Sequence, residues 1–140
     1  MTAIVVTPAN VAWVSGPIKG DQVAGEAFTA GQGVYLADNG TWLKAQADGT
    51  AVQAGSNDLG VALGDAAGAG ARVSIAVSGA VVSFGAVVTA GAVYVPGDVA
   101  GAINPVADQG SGDKVTVLGI GISTSRILIG RVYDAGSVLA

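Results

Sequence analysis

Glycine is the residue that most limits what this chain can fold into. It fills 23 of 140 positions, and together with Asn, Asp and Pro it cuts the chain into short runs of Val, Ile, Leu, Thr and Ala. Glycine inside a helix costs about 1 kcal/mol relative to alanine, whereas β-branched residues between such breaks suit a pleated strand. The expectation is an all-β protein of short strands joined by tight turns. A chain of this length encloses one apolar core, so a single domain is expected.

The clearest local signal is Asp38-Asn39-Gly40, set between strand-like runs at 33–37 and 41–47. Asn-Gly accepts the positive φ of a tight turn, which predicts a hairpin here. Further strands are expected at 59–64, 72–78, 80–84, 93–95, 102–105, 115–122 and 126–133, each bounded by Gly, Asp or Pro. Many short strands at regular spacing predict a compact β-barrel or sandwich.

The chain also repeats itself. The run from Gly25 through Thr29-Ala30-Gly31-Gln32 to Val34-Tyr35-Leu36 lines up with Gly85 through Thr89-Ala90-Gly91-Ala92 to Val93-Tyr94-Val95 if one residue is dropped. Downstream, Leu59-Gly60-Val61-Ala62 matches Leu118-Gly119-Ile120-Gly121, and Arg72-Val73-Ser74-Ile75 matches Arg126-Ile127-Leu128-Ile129. Matching blocks in one order predict two duplicated β-units, about 25–79 and 85–133, within a single domain spanning 17–140. Ahead of them, residues 1–16 carry no charge and read as an extended N-terminal arm. Gly16-Pro17 and Gly20-Asp21 read as turns leading into the body near Val23.

Chemistry is restricted by what is missing. The chain has no histidine and no cysteine, which removes Ser-His-Asp and Cys-His nucleophilic systems, imidazole or thiolate zinc sites, and disulfides. Asp38, Asp48, Asp58 and Asp65 supply hard oxygen atoms, yet none stands in the alternating register of a calcium loop, and turn-forming Asp accounts for them better. The same holds for Asp108 and Asp113 around Gly110-Ser111-Gly112. The stretch 64–70 is glycine-rich but lacks the Lys-Ser/Thr ending of a P-loop. Asn39-Gly40-Thr41 matches a glycosylation acceptor, which the hairpin explains fully. No pair of carboxylates can be nominated for hydrolysis, so the chain reads as a non-enzymatic protein needing no cofactor.

Charge points the same way. Charged residues make up 11% of the chain and hydrophobic ones 51%, with a net charge of -4, against about 25% charged in a typical soluble domain. Six scattered Lys and Arg do not form a phosphate-binding face, so no nucleic acid partner is expected. The uncharged stretch 73–97 has the length of a membrane span. Its alternation of Val73, Ile75 and Val77 with Ser74, Ala76 and Ser78, and its breaks at Gly79, Gly85, Gly91 and Pro96, fit strands instead. No membrane partner is expected, and the protein should dissolve without detergent.

A surface with so little charge must hide apolar area in partners. Trp13 and Trp42 are the only tryptophans and the natural anchors. Trp42, in the hairpin, is assigned to the core. In the uncharged arm Ile4, Val6, Val11, Trp13 and Val14 are the candidate interface residues, and for Trp13 a subunit contact and a core position are weighed equally.

Taken in order, Ala24-Gly25-Glu26, Thr29-Ala30-Gly31-Gln32, Val34-Tyr35-Leu36, Gly60-Val61-Ala62-Leu63, Thr89-Ala90-Gly91, Val93-Tyr94-Val95, 101–108 (GAINPVAD) and Leu118-Gly119-Ile120 resemble phage capsid decoration (cement) proteins of the DUF2190-like group. The resemblance spans essentially the whole chain and brings no catalytic residues. It implies a β-rich virion protein, made in the host cytoplasm, that sits on the outer surface of the assembled phage head. There it would bind the major capsid protein, associate with itself as a homotrimer, and stabilise contacts between capsomers. Two alternatives stand beside it: another β-rich virion component, such as a head fibre base or tail-tube protein, and a carbohydrate-binding or hydrolase module.

Overall fold

The computed structural model describes residues 4–48, 50, 52–108 and 114–138, with side chains described throughout except at 108, 114, 115 and 133–138. The protein is all-β, with two sheets packed together. Its strands are β1 (Ala12–Ser15), β2 (Ile18–Val23), β3 (Gly33–Leu36), β4 (Trp42–Lys44), β5 (Leu59–Ala62), β6 (Arg72–Ala76), β7 (Val81–Ser83), β8 (Val93–Pro96), β9 (Ile103–Pro105), β10 (Lys114–Gly121) and β11 (Arg126–Val138). One sheet has the order β2-β6-β5-β3-β4 and the other β1-β7-β11-β10-β8-β9, every pair antiparallel.

The two orders are the same order. Replacing β2, β6, β5, β3 and β4 by β7, β11, β10, β8 and β9 converts the first sheet into the second, with β1 added at one edge. Loop hydrogen bonds repeat as well. Phe28 N–H donates to the Ala66 carbonyl and Val88 N–H to that of Thr124; Gly31 N–H donates to Ala62 and Gly91 N–H to Gly121. Ala62 N–H returns to Gln32, and Gly121 N–H to Ala92. Each unit also takes in a strand ahead of the sequence match, β2 in one and β7 in the other.

Backbone pairing assigns the equivalences differently from the letters. Gly60 and Gly119 occupy matching places, because a side chain on either would collide with backbone of the next strand, at Ala76 and Leu128 respectively. Val34 pairs with Gly60 and Tyr94 with Gly119, so Tyr94 stands where Val34 does and no residue is dropped. Likewise Ala62 pairs with Ile75 and Gly121 with Ile127, which makes Ile127 the counterpart of Ile75. Matching Arg72 to Arg126 slips this strand by two.

Two strands lie where the sequence suggested an arm and turns. β1 forms within the stretch read as extended. β2 runs straight through Gly20-Asp21, where the register with β6 shifts between Lys19 and Gln22 and Asp21 takes a left-handed φ of 55°. Gly-Asp here makes a β-bulge inside a strand, the other use of residues that tolerate positive φ. At the hairpin, Gly40 N–H closes a turn onto the Ala37 carbonyl, Ala37 N–H pairs with the Thr41 carbonyl, and Gly40 alone carries the positive φ, at 85°. Asn39 contributes through its side chain, whose Oδ1 accepts from Thr41 N–H and Oγ1. This is the connection that ends in a left-handed glycine.

The core has two parts. Tyr35, Leu59, Val61 and Ala76 from the five-stranded sheet cluster with Val82, Tyr94, Leu118, Ile127 and Ile129 from the six-stranded one. On the opposite face of the five-stranded sheet, Val34, Trp42, Ala62, Val73 and Ile75 form a second cluster, closed over by Ala24, Phe28 and Ala66 from the loops. Trp42 is fully buried, its indole N–H donating to Gln22 Oε1 at 3.0 Å and Lys19 Nζ standing 5.6 Å from the ring centroid. Each fully buried Leu, Ile or Val contributes about 1.5–3 kcal/mol.

Candidate interaction surface

The acidic residues weighed as ligands are each engaged in a local tie. Asp58 Oδ2 accepts from Lys19 Nζ at 2.7 Å while its Oδ1 accepts from Leu59 N–H. Asp65 accepts from Ala30 N–H, Asp38 from Asn57 Nδ2, and Asp48 from Gln46 Nε2. Among the described residues no three acidic side chains converge. The Asp108 side chain and Asp113 lie outside the described part. Arg131 also acts structurally: its guanidinium donates to the Gly55 and Ser56 carbonyls, tying β11 to the other unit.

The arm residues divide into two groups. Ile4 N–H donates to the Ile103 carbonyl of β9, and Ile4, Val6 and Val11 pack half-buried against the protein's own main core. Ile4 and Val6 border a cleft with Gly31, Gln32, Gly101 and Ile103. Residues 1–3 lie outside the described part. Trp13 and Val14 sit on β1, an outermost strand of the six-stranded sheet. Trp13 is 48% exposed, its indole N–H held by the Gly16 carbonyl at 3.2 Å.

A second apolar surface was not singled out from the sequence. Register places Val93 beside Ile120, Ile120 beside Leu128, and Leu128 beside Val81, and directly paired residues share one face of a sheet. The four form a continuous uncharged row across β8, β10, β11 and β7. Ile120 is 46% exposed and Leu128 39%. At one end Val93 also lines an open apolar groove of about 410 Å³ with Ala92, Pro105, Val106 and Ala107; at the other, Val81 pairs with Ser15 of β1. Ile122, half exposed, follows just beyond β10. The signal available in the sequence was the alternation along β10 and β11, which reads identically for a covered and an uncovered face.

Burial raises the pKa of Tyr35, the Glu26 carboxylate adds to the rise, and a hydrogen bond with Gln53 opposes it. No helix among the described residues is long and apolar enough to cross a membrane. No protein-family model matches this chain, and no curated protein sequence matches it.

Proposed function

We propose that this protein is a capsid decoration protein, a structural component that binds the outer surface of an assembled phage head and stabilises contacts between capsomers. The observation that carries the reading is large apolar side chains exposed at several places on a chain with few charges: Ile120 and Leu128 on the six-stranded sheet with Ile122 just beyond β10, Trp13 on the edge strand β1, Val5 near the N-terminus and Val99 in the β8–β9 turn. Scattered single residues of this kind are ordinary. Contiguous ones, on a protein only 11% charged, call for surfaces that cover them. A shell lattice offers many identical ones, and a homotrimer of this chain bound to the major capsid protein would cover more than one patch at once. The ordered sequence blocks that resemble cement proteins support the same conclusion.

The mechanism requires no bond to be made or broken. A protein that binds only the expanded, assembled lattice stabilises it by the free energy of that binding, and subunits held in one oligomer gain through effective concentration. The test is to mix purified protein with expanded and with unexpanded heads and to measure coating and head stability. Saturable coating of expanded heads, with a rise in their disruption temperature, is expected. Failure to coat either form would overturn the reading.

A further inference from the structure

Asn39-Gly40 turns the chain between β3 and β4, and the same residues bring together the parts of a reaction. Asparagine is a thermolabile side chain, and of Asn10, Asn39, Asn57 and Asn104 only Asn39 is followed by glycine. That matters because the backbone nitrogen of the next residue can attack the side-chain amide, and glycine has no side chain to block the approach. Asn39 and Gly40 are both exposed. Among the described residues, no atom beyond its chain neighbours lies within 4 Å of where a Cβ on Gly40 would stand. Asn39 Oδ1 accepts two hydrogen bonds, from Thr41 N–H at 3.1 Å and from Thr41 Oγ1 at 2.7 Å. The first fixes which amide atom is the oxygen, since an N–H donates only to an acceptor. It also closes a small ring that contains both Asn39 Cγ and the Gly40 nitrogen. The second donor is held by packing: Thr41 Oγ1 lies against Gly25, where an added Cβ would stand 2.8 Å from it.

We propose that Asn39-Gly40-Thr41 is a self-modification site, in which the N–H and hydroxyl of Thr41 act as an oxyanion hole for conversion of Asn39 to aspartate and isoaspartate. Hydroxide takes the Gly40 N–H proton, which the turn otherwise donates to the Ala37 carbonyl at 3.0 Å. The nitrogen then forms a bond to Asn39 Cγ, and an electron pair of the C=O bond moves onto Oδ1, where both donors already stand. Return of that pair breaks the bond to Nδ2, which leaves as ammonia with a proton from water, regenerating hydroxide. Water opens the resulting cyclic imide at either carbonyl. The net change is one water consumed and one ammonia released, so no oxidant, metal or enzyme is needed. Either product adds a carboxylate beside Asp38, and isoaspartate also lengthens the backbone by one carbon at the tip of the hairpin. The inference does not depend on the capsid reading, because it concerns the free protein.

The test is peptide mapping by mass spectrometry of purified folded protein incubated at mildly alkaline pH, reading aspartate and isoaspartate at each asparagine. Conversion should concentrate at Asn39 and quicken as pH rises, because hydroxide takes the first proton. Thr41→Val keeps the shape and the backbone N–H but removes the hydroxyl, and should slow conversion about two- to tenfold, the rate equivalent of one net hydrogen bond. Thr41→Ser returns the hydroxyl and should restore the rate. In concentrated urea, where the turn is lost, Thr41→Val and wild type should convert equally fast. Thr41→Ala replaces Thr41→Val if circular dichroism shows that valine disturbs the fold. Absence of conversion at Asn39 would overturn the proposal. So would a folded Thr41→Val protein that converts at the wild-type rate, a Thr41→Ser protein as slow as Thr41→Val, or a Thr41→Val effect that persists in urea.

Discussion

The five-stranded sheet and the six-stranded sheet share one strand order, and their surroundings differ on both faces. The first is covered on either side, by the other sheet over Tyr35, Leu59, Val61 and Ala76 and by the Ala24–Phe28–Ala66 cap over Trp42 and Ile75. The second carries an aliphatic row that the described residues leave partly open, with Ile120 46% and Leu128 39% exposed. Equivalent backbone positions can therefore be core in one unit and surface in the other, and what separates them is the presence of a packing partner.

The largest effect expected from breaking this comparison lies in the second core. Trp42→Ala should destabilise by about 3–5 kcal/mol, read from the urea midpoint. Pairing assigns Ile103 as its counterpart, since Trp42 faces Leu36 and Ile103 faces Pro96. Ile103→Val should cost only about 0.5–1.5 kcal/mol. A Trp42→Ala protein with wild-type stability would remove the case for a distinct second core.

The repeat itself is tested by Gly60→Ala and Gly119→Ala. In each case the new methyl meets the carbonyl of the neighbouring strand, and forcing the strands apart should cost about 1–3 kcal/mol. The two losses should be similar in equilibrium unfolding. A large loss at one site with none at the other would mean that the positions are not equivalent.

These positions also mark the limits of what the sequence made legible. The hairpin at Asn39-Gly40, the nine strands from β3 to β11 and the all-β class could be read because turns are written in residue chemistry. The pairing of the two units could be read only to within a residue or two, since Val, Ala and Gly fit a strand at any slip. Tyr35 and Tyr94 look equivalent by letter, but Val34 and Tyr94 oppose the matching glycines. β2 was hidden because Gly20-Asp21 spells a bulge and a turn alike. The open row was hidden because exposure depends on what lies across from a strand.

A smaller effect is expected at β1. Trp13→Ala should change stability by under about 1 kcal/mol, since half the side chain is already solvated. It should weaken association or head binding by about 2 kcal/mol, roughly thirtyfold. Melting curves beside sedimentation and coating assays separate the two. Normal binding with a lowered melting point would assign Trp13 to the protein's own core.

The smallest effect concerns Tyr35, whose phenol is held above the ordinary tyrosine range chiefly by burial, with Glu26 adding to the shift. A raised folded-state pKa favours the neutral form. Its stabilisation is present below about pH 10 and is lost as pH rises through the folded value. Wild-type stability should fall in that alkaline window more steeply than that of Tyr35→Phe, in unfolding curves taken at pH 8 to 11. Parallel pH profiles would assign the alkaline loss to other groups.

The contrast between the two sheets has a direct readout, because the chain contains no cysteine and a single introduced thiol reports on one place. Ala76→Cys and Leu128→Cys put that thiol at equivalent positions of the two units, and maleimide labelling measures its access. Ala76→Cys should be protected at every protein concentration. Leu128→Cys should label much faster, because its position is 39% exposed where that of Ala76 is fully buried. Equal labelling rates for Ala76→Cys and Leu128→Cys would contradict the account.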